Sequence, residues 1–220
     1  MQRTKIEWCD YTWNPVKGLC PVGCDYCYAR RMYKRFGWDP EIRLDKRELL
    51  APGKLQRPSK IFVGSTIELY HPFIPLHWRD RIIYASLDFQ QHTIITLTKF
   101  PQQFRNHIFP RHWWLGTTMT GGAATAINDL WIRKALAKTR FISFEPLLSD
   151  CSFASLLNID WIIIGGLTPK PVHKKEWIDR LVEKADKQSI PVFIKDNAHY
   201  PAQRREFPCN QSIVQPGISS

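Results

Sequence analysis

Six short apolar runs, rich in β-branched and aromatic residues, recur along the chain and constrain the fold more than any other feature. They are Lys60–Gly64 (KIFVG), Thr93–Thr98 (TIITLT), His112–Thr117 (HWWLGT), Arg140–Glu145 (RFISFE), Asp160–Gly165 (DWIIIG) and Ile190–Lys195 (IPVFIK). Continuous apolar runs of this length read as strands buried on both faces, the pattern of a parallel sheet. A weaker seventh strand is expected at Asp10–Trp13. Helical spacing of apolar residues lies between the runs, at 25–36, 76–90, 124–138 and 173–188; the last puts Trp177, Leu181, Val182 and Ala185 on one face. Strand followed by helix, repeated at intervals of roughly 20–33 residues, is a βα series and predicts an α/β fold. Such a series closes as a barrel or opens as a doubly wound sheet. A full eightfold barrel takes about 250 residues, so a partial barrel suits 220 better.

No composition shift marks a second domain. We expect one domain over residues 1–208 and an irregular tail at 209–220. The charged stretch Pro40–Pro58 reads as a surface connection. With 13% aromatic residues, the chain is not compositionally disordered. No segment reaches the roughly 18 apolar residues of a membrane span, and the start, MQRTKIEWCD, has no export-signal run. A cytoplasmic location without membrane attachment is therefore expected. Lysine and arginine number 31 against 20 acidic residues, a net charge of +11. That field gathers anions such as nucleic acid, nucleotides or phosphorylated metabolites, and it also fits a generally basic surface.

Six cysteines are present: Cys9, Cys20, Cys24, Cys27, Cys151 and Cys209. Without an export signal they read as thiols or metal ligands rather than as a disulfide framework. Cys20-Pro-Val-Gly-Cys24-Asp-Tyr-Cys27 lets three sulfurs approach one small object while the chain turns between them. Gly18 and Gly23 permit the turn, and Pro21 stiffens it. Three thiolates suit a [4Fe–4S] cluster with one open iron, or three sides of a tetrahedral zinc site completed by Cys9 or a histidine.

CxxxCxxC with Tyr26 before the last cysteine, at the start of a βα series, resembles the signature of radical S-adenosylmethionine enzymes. KIEWCDYTWNPVKGLCPVGCDYCYARRM is similar to a phage-associated branch of unknown function, distantly similar to spore photoproduct lyase. Further matches are IFVGSTIELYHPFIP, TLTKFP, WLGTTM, RFISFEPLL, IDWIIIGG and PVFIKDN, so the resemblance spans almost the whole chain. It implies a partial (β/α)6-type barrel and a [4Fe–4S] cluster on Cys20, Cys24 and Cys27. The open iron would chelate S-adenosylmethionine. An electron, from a donor the sequence does not identify, would cleave it to methionine and a 5′-deoxyadenosyl radical that abstracts hydrogen from substrate.

The resemblance also distributes the remaining roles. Tyr26 would pack near the adenine. Gly64, Ser65 and Thr66 stand where many relatives hold the methionyl amino group, although the usual Gly-Gly-Glu is missing. Glu145 would bond the ribose or amino group, or else cap a turn before Pro146. Gly165 and Gly166 would allow close approach to the cofactor, or serve as a strand-end turn. Lys99 could bind the cofactor carboxylate, and Thr98 and Thr117 join the set as strand-end residues, since ligands sit beyond the carboxyl ends of parallel strands. Cys9 stands where the family usually has threonine. Arg30, Arg31, Lys34 and Arg35 pair at i, i+4 and form either a solvated helix face or a basic rim for a phosphate-bearing substrate.

The expected function is thus a radical S-adenosylmethionine enzyme acting on an anionic substrate, with a nucleic-acid base or nucleotide among the candidates. Two alternatives stand beside it: a zinc-containing nucleic-acid-binding protein without catalysis, and an iron–sulfur protein that has lost the cofactor chemistry.

Overall fold

A computed structural model describes residues 1–208; the anticipated tail at 209–220, with Cys209, lies outside the described residues. Among the described residues ten strands form: β1 Gln2–Arg3, β2 Tyr11–Trp13, β3 Val16–Lys17, β4 Arg43–Leu44, β5 Lys60–Val63, β6 Thr93–Thr98, β7 Trp113–Thr118, β8 Thr139–Phe144, β9 Trp161–Ile164 and β10 Val192–Ile194. The α-helices are α1 Tyr28–Phe36, α2 Leu76–Ala85, α3 Asn128–Ile132 and α4 Lys175–Asp186. The fold is α/β, as the βα pattern predicts.

Eight strands make one sheet in the order β1-β2-β5-β6-β7-β8-β9-β10. Only β1, against β2, is antiparallel; the other ladders are parallel. From β2 onward each strand lies beside its predecessor in the main sheet and the order never reverses. A doubly wound sheet must reverse at a switch point, so this sheet is singly wound.

Residues alternate sides along a strand, and the two sides differ in chemistry. The outer side, toward the helices, is largely aliphatic: Ile61, Ile94, Leu115, Ile142, Ile162 and Val192 belong to the core cluster that includes Ile82 of α2, Ile132 of α3 and Leu181 of α4. The inner side is aromatic, with Phe62, Trp114, Phe141, Trp161 and Phe193 packed together with Trp8. Trp8 has ring-centroid distances of 4.8 Å to Phe62 on β5 and 6.4 Å to Trp161 on β9. In a flat sheet those strands would stand four spacings, about 19 Å, apart. One side chain can touch both only if the sheet rolls around it.

The rolled sheet stays open, with β1 and β10 at its edges. Residues 204–206 run along β10: Arg204 O accepts from Ile194 N at 2.8 Å, and Glu206 N donates to Val192 O at 3.1 Å. This segment covers the exposed edge of β10. Arg205 also reaches Glu7, in the loop before β2, at 2.5 Å.

Two expectations need correction. The stretch Pro40–Pro58 is more than a surface connection. It supplies β4, which pairs with β3, and a 3₁₀ segment at Glu48–Lys54 with Ala51 and Pro52 buried. Trp13 anchors that segment by donating its indole N–H to Glu48 O at 2.6 Å. The helix expected at 124–138 shrinks to the single turn of α3, preceded by a short 3₁₀ turn at Ala123–Thr125. Among the described residues no helix is long and apolar enough to cross a membrane.

Candidate functional site

The carboxyl ends of the parallel strands open on one side of the rolled sheet, and the cysteine loop lies there. β3 leads into the loop and α1 leads out of it. The turn closes where Cys27 N donates to Cys24 O at 3.1 Å, and α1 starts at Tyr28. α1 stops at Gly37, whose φ of 60° is the left-handed conformation that glycine adopts without strain. Gly18 is equally constrained: φ is 115°, and a Cβ there would lie 2.5 Å from Glu41 O.

Two contacts fasten the loop to the sheet. Glu68 N donates to Cys20 Sγ at 3.4 Å, and the Tyr28 hydroxyl donates to Ser65 O at 2.7 Å. Ser65 and Thr66 are held in turn by Asn14 at the end of β2: Asn14 Nδ2 donates to Ser65 Oγ at 3.0 Å, and Thr66 N donates to Asn14 Oδ1 at 3.3 Å. Gly64, with φ of 80°, turns the chain between β5 and these residues.

Cys20, Cys24 and Cys27 are free, half-buried thiols. Burial raises the Cys20 thiol, and the charges of Glu68 and Cys27 add to that shift. Tyr26 lies beside Cys24 and Cys27, and burial together with those thiols pushes its phenol upward. Among the described residues no three metal-ligating side chains are gathered at one point. The loop still brings the three thiols near one another, Cys20 sensing Cys27 and Tyr26 sensing both Cys24 and Cys27, and holding a shared ion or cluster requires their side chains to turn toward a common centre. Donor chemistry fits such a group: three soft thiols on one loop, unbridged and partly open to solvent.

Alternation sorts the strand-end candidates. On β8 Phe141 faces inward, so Ser143 and Glu145 do too; on β9 and β10 the same count turns Gly165 and Lys195 inward, and on β6 Lys99. Thr98 shares the outer face with Ile94, and Thr117 with Leu115. These two threonines thus face the helices, where Thr117 Oγ1 donates to Thr98 O at 2.9 Å. Lys99 keeps its backbone engaged, with N donating to Glu68 Oε2 at 2.9 Å, and its ammonium forms no ion pair among the described residues.

Glu145 pairs with Lys195 across the ends of β8 and β10. Gly165 makes room for that carboxylate, since a Cβ there would lie 2.9 Å from Glu145 Cδ. Gly166 packs as closely on Asn197, with 2.4 Å from a would-be Cβ to Asn197 O. Asn197 closes both sides of Gly166: its Nδ2 donates to Gly166 O at 2.8 Å and its Oδ1 accepts from Gly166 N at 3.2 Å. The space that these glycines free is filled by protein. Ser143 is fully buried on the inner side below Glu145, and its hydroxyl has no hydrogen-bond partner among the described residues. A buried hydroxyl left unpaired costs free energy, which a polar group arriving from the mouth would recover.

Sequence reasoning passed over Glu68, Tyr28 and Ser143. Glu68 is buried and joins three elements: Oε1 accepts from Thr98 Oγ1 at 2.5 Å and from Tyr70 N at 3.2 Å, while its backbone N meets Cys20. Ser143 was findable by counting alternate residues back from Glu145. Cys9 is buried in the inner aromatic cluster, with its thiol 3.9 Å from Ile6 O and pushed up to about 12 by burial.

No curated protein and no solved structure matches the chain. A family model described as a protein of unknown function (DUF5131) matches residues 3–212, nearly the full length, and the chain belongs to that family.

Proposed function

We propose that this protein is a radical S-adenosylmethionine enzyme built on a partial (β/α)6-type barrel, with a [4Fe–4S] cluster on Cys20, Cys24 and Cys27 and an anionic substrate. One observation carries the reading: three free thiols spaced CxxxCxxC sit on a loop at the carboxyl ends of a singly wound, rolled parallel sheet. That is where βα folds place their ligands. When bound, the cluster supplies the electron for reductive cleavage of S-adenosylmethionine.

The residues of the chain bind, orient and exclude water. Lys99, which has no acidic partner among the described residues, would receive a carboxylate, and Ser143 offers a hydroxyl that none of those residues bonds. Glu145 is positioned by Lys195 and can accept from an amino group or a ribose hydroxyl without leaving that pair, because a carboxylate has acceptor capacity to spare. Beneath them the packed rings of Trp8, Trp114 and Trp161 form a floor that keeps water from the site. Thr98 and Thr117 support this arrangement from the outer face.

The test is anaerobic reconstitution with iron and sulfide, followed by reduction, addition of S-adenosylmethionine and mass spectrometry for 5′-deoxyadenosine. Product is expected from the native protein and not from Cys20→Ala, Cys24→Ala or Cys27→Ala. Zinc bound in place of iron, in protein from iron-replete cells, would overturn the proposal in favour of a metal-stabilised binding protein.

A further inference from the structure

A second feature adjoins the cysteine loop. A cavity of about 510 Å³ opens between the loop, α1 and the chain that follows it. Its walls include Cys27, Arg30, Arg31, Lys34, Tyr33 and Trp38, with Asp25 as the acidic residue among them. Arg30 is anchored by donating to Cys20 O at 2.9 Å. Arg31, Lys34 and Arg35 are exposed and take no ion-pair partner among the described residues. Four cations on nine residues of helix, with no acid in its first turn, are unusual in a chain that pairs many of its charges elsewhere, as on α4.

An aromatic surface borders these cations. The left-handed turn at Gly37 folds the chain back so that Phe36 and Trp38 stack, with centroids 5.6 Å apart and planes inclined by 24°. Tyr33 meets Trp38 edge-on at 5.3 Å, and the Arg35 guanidinium lies 5.4 Å from the Phe36 ring. Phe36 remains 55% exposed and Trp38 42%. Exposed rings held rigidly beside unpaired cations offer two chemistries at once: flat faces for stacking and positive charge for phosphate.

We infer that this cavity and the Phe36–Trp38 surface dock single-stranded nucleic acid, with bases on the rings and phosphates on Arg31, Lys34 and Arg35. A single strand fits better than a duplex because paired bases hide the faces that the rings would stack on. It fits better than a free nucleotide because the cations run along a helix of about 14 Å, room for more than one phosphate. Charge complementarity selects the polyanion, and the rings select one with aromatic faces over an acidic protein. Cys27 in the cavity wall puts the docked strand beside the cysteine loop. The inference deepens the proposed function by naming its class of anion, while the docking itself needs no cluster.

Fluorescence anisotropy of the full chain with a labelled oligo-dT strand tests this. Binding should weaken steeply with salt, and Arg31→Glu with Lys34→Glu should weaken it by about tenfold or more. Trp38→Ala should cost about tenfold, with Trp38→Phe restoring most of it and showing that stacking rather than folding is lost. Arg81→Glu with Arg111→Glu removes the same charge from exposed positions elsewhere and should change affinity little. Equal losses from the two double variants, full affinity in Trp38→Ala, or equally effective competition by polyglutamate or a mononucleotide would each overturn the inference. Cys24→Ala should bind the strand as the native protein does. A failed 5′-deoxyadenosine assay would therefore leave the docking result standing, and loss of docking would leave the cluster chemistry standing.

Discussion

The floor and the mouth of the rolled sheet are built from opposite materials. On the floor, the Trp161 ring lies 5.2 to 6.4 Å, centroid to centroid, from those of Trp8, Trp114, Phe141, Phe193 and Phe207. At the mouth, the cysteine loop is tied down by a backbone N–H on Cys20 Sγ and a tyrosine hydroxyl on Ser65. Aromatic packing makes the floor dry and stiff, whereas a few hydrogen bonds leave the mouth able to adjust. Under the proposed function the loop would turn three thiols toward a cluster, which calls for that second regime within a frame fixed by the floor.

Thiol chemistry should separate the regions most widely. Burial lifts Cys9, among the rings of the floor, and Cys151, in the outer core, to about 12, so at pH 8 only roughly one in ten thousand of either is thiolate. In cluster-free protein, iodoacetamide should modify Cys24 and Cys27 at least about a hundredfold faster, read by peptide mass spectrometry. The gap should narrow as pH rises toward 12, because thiolate then forms at the buried positions as well. Equal rates at pH 8 would break the contrast. On the floor, Trp161→Ala removes the central ring and the N–H that Glu206 O accepts at 2.8 Å. A loss of about 3–5 kcal/mol in urea unfolding is expected. At the mouth, Tyr28→Phe deletes one hydrogen bond, for about 0.5–1.5 kcal/mol. Its effect should be confined to faster amide exchange in residues 19–27, and an unfolding shift as large as that of Trp161→Ala would refute the division.

Much of the frame was legible in the sequence. TIITLT is β6 residue for residue, and the other five apolar runs fall within two residues of their strands. Four features were not legible, for separate physical reasons. Pro40–Pro58 looked like a connection because its charges face outward, while its buried contribution is mostly backbone and small residues such as Ala51 and Pro52. Residues 124–138 have helical spacing, but the α-helix is confined to Asn128–Ile132, the turn that packs against β7 and β8. Glu68 stands in a loop with no periodicity, so nothing local marks it as a buried carboxylate that Thr98, Tyr70 and Lys99 share while its backbone N–H meets Cys20. Thr98 and Thr117 were grouped with the other strand-end residues by position along the chain, whereas facing the mouth is a matter of parity.

The sequence by itself determined the βα order, the parallel sheet and the clustering of three thiols on one loop, because apolar periodicity and residue spacing are local properties. Tertiary structure decided the winding, the roll and the grouping of side chains. Single winding requires each strand to choose its neighbour, and the roll requires Trp8 to span from β5 to β9. The pairing of Glu145 with Lys195, fifty residues apart, depends on both, since charges that far apart in sequence meet only after the strands between them have taken their places.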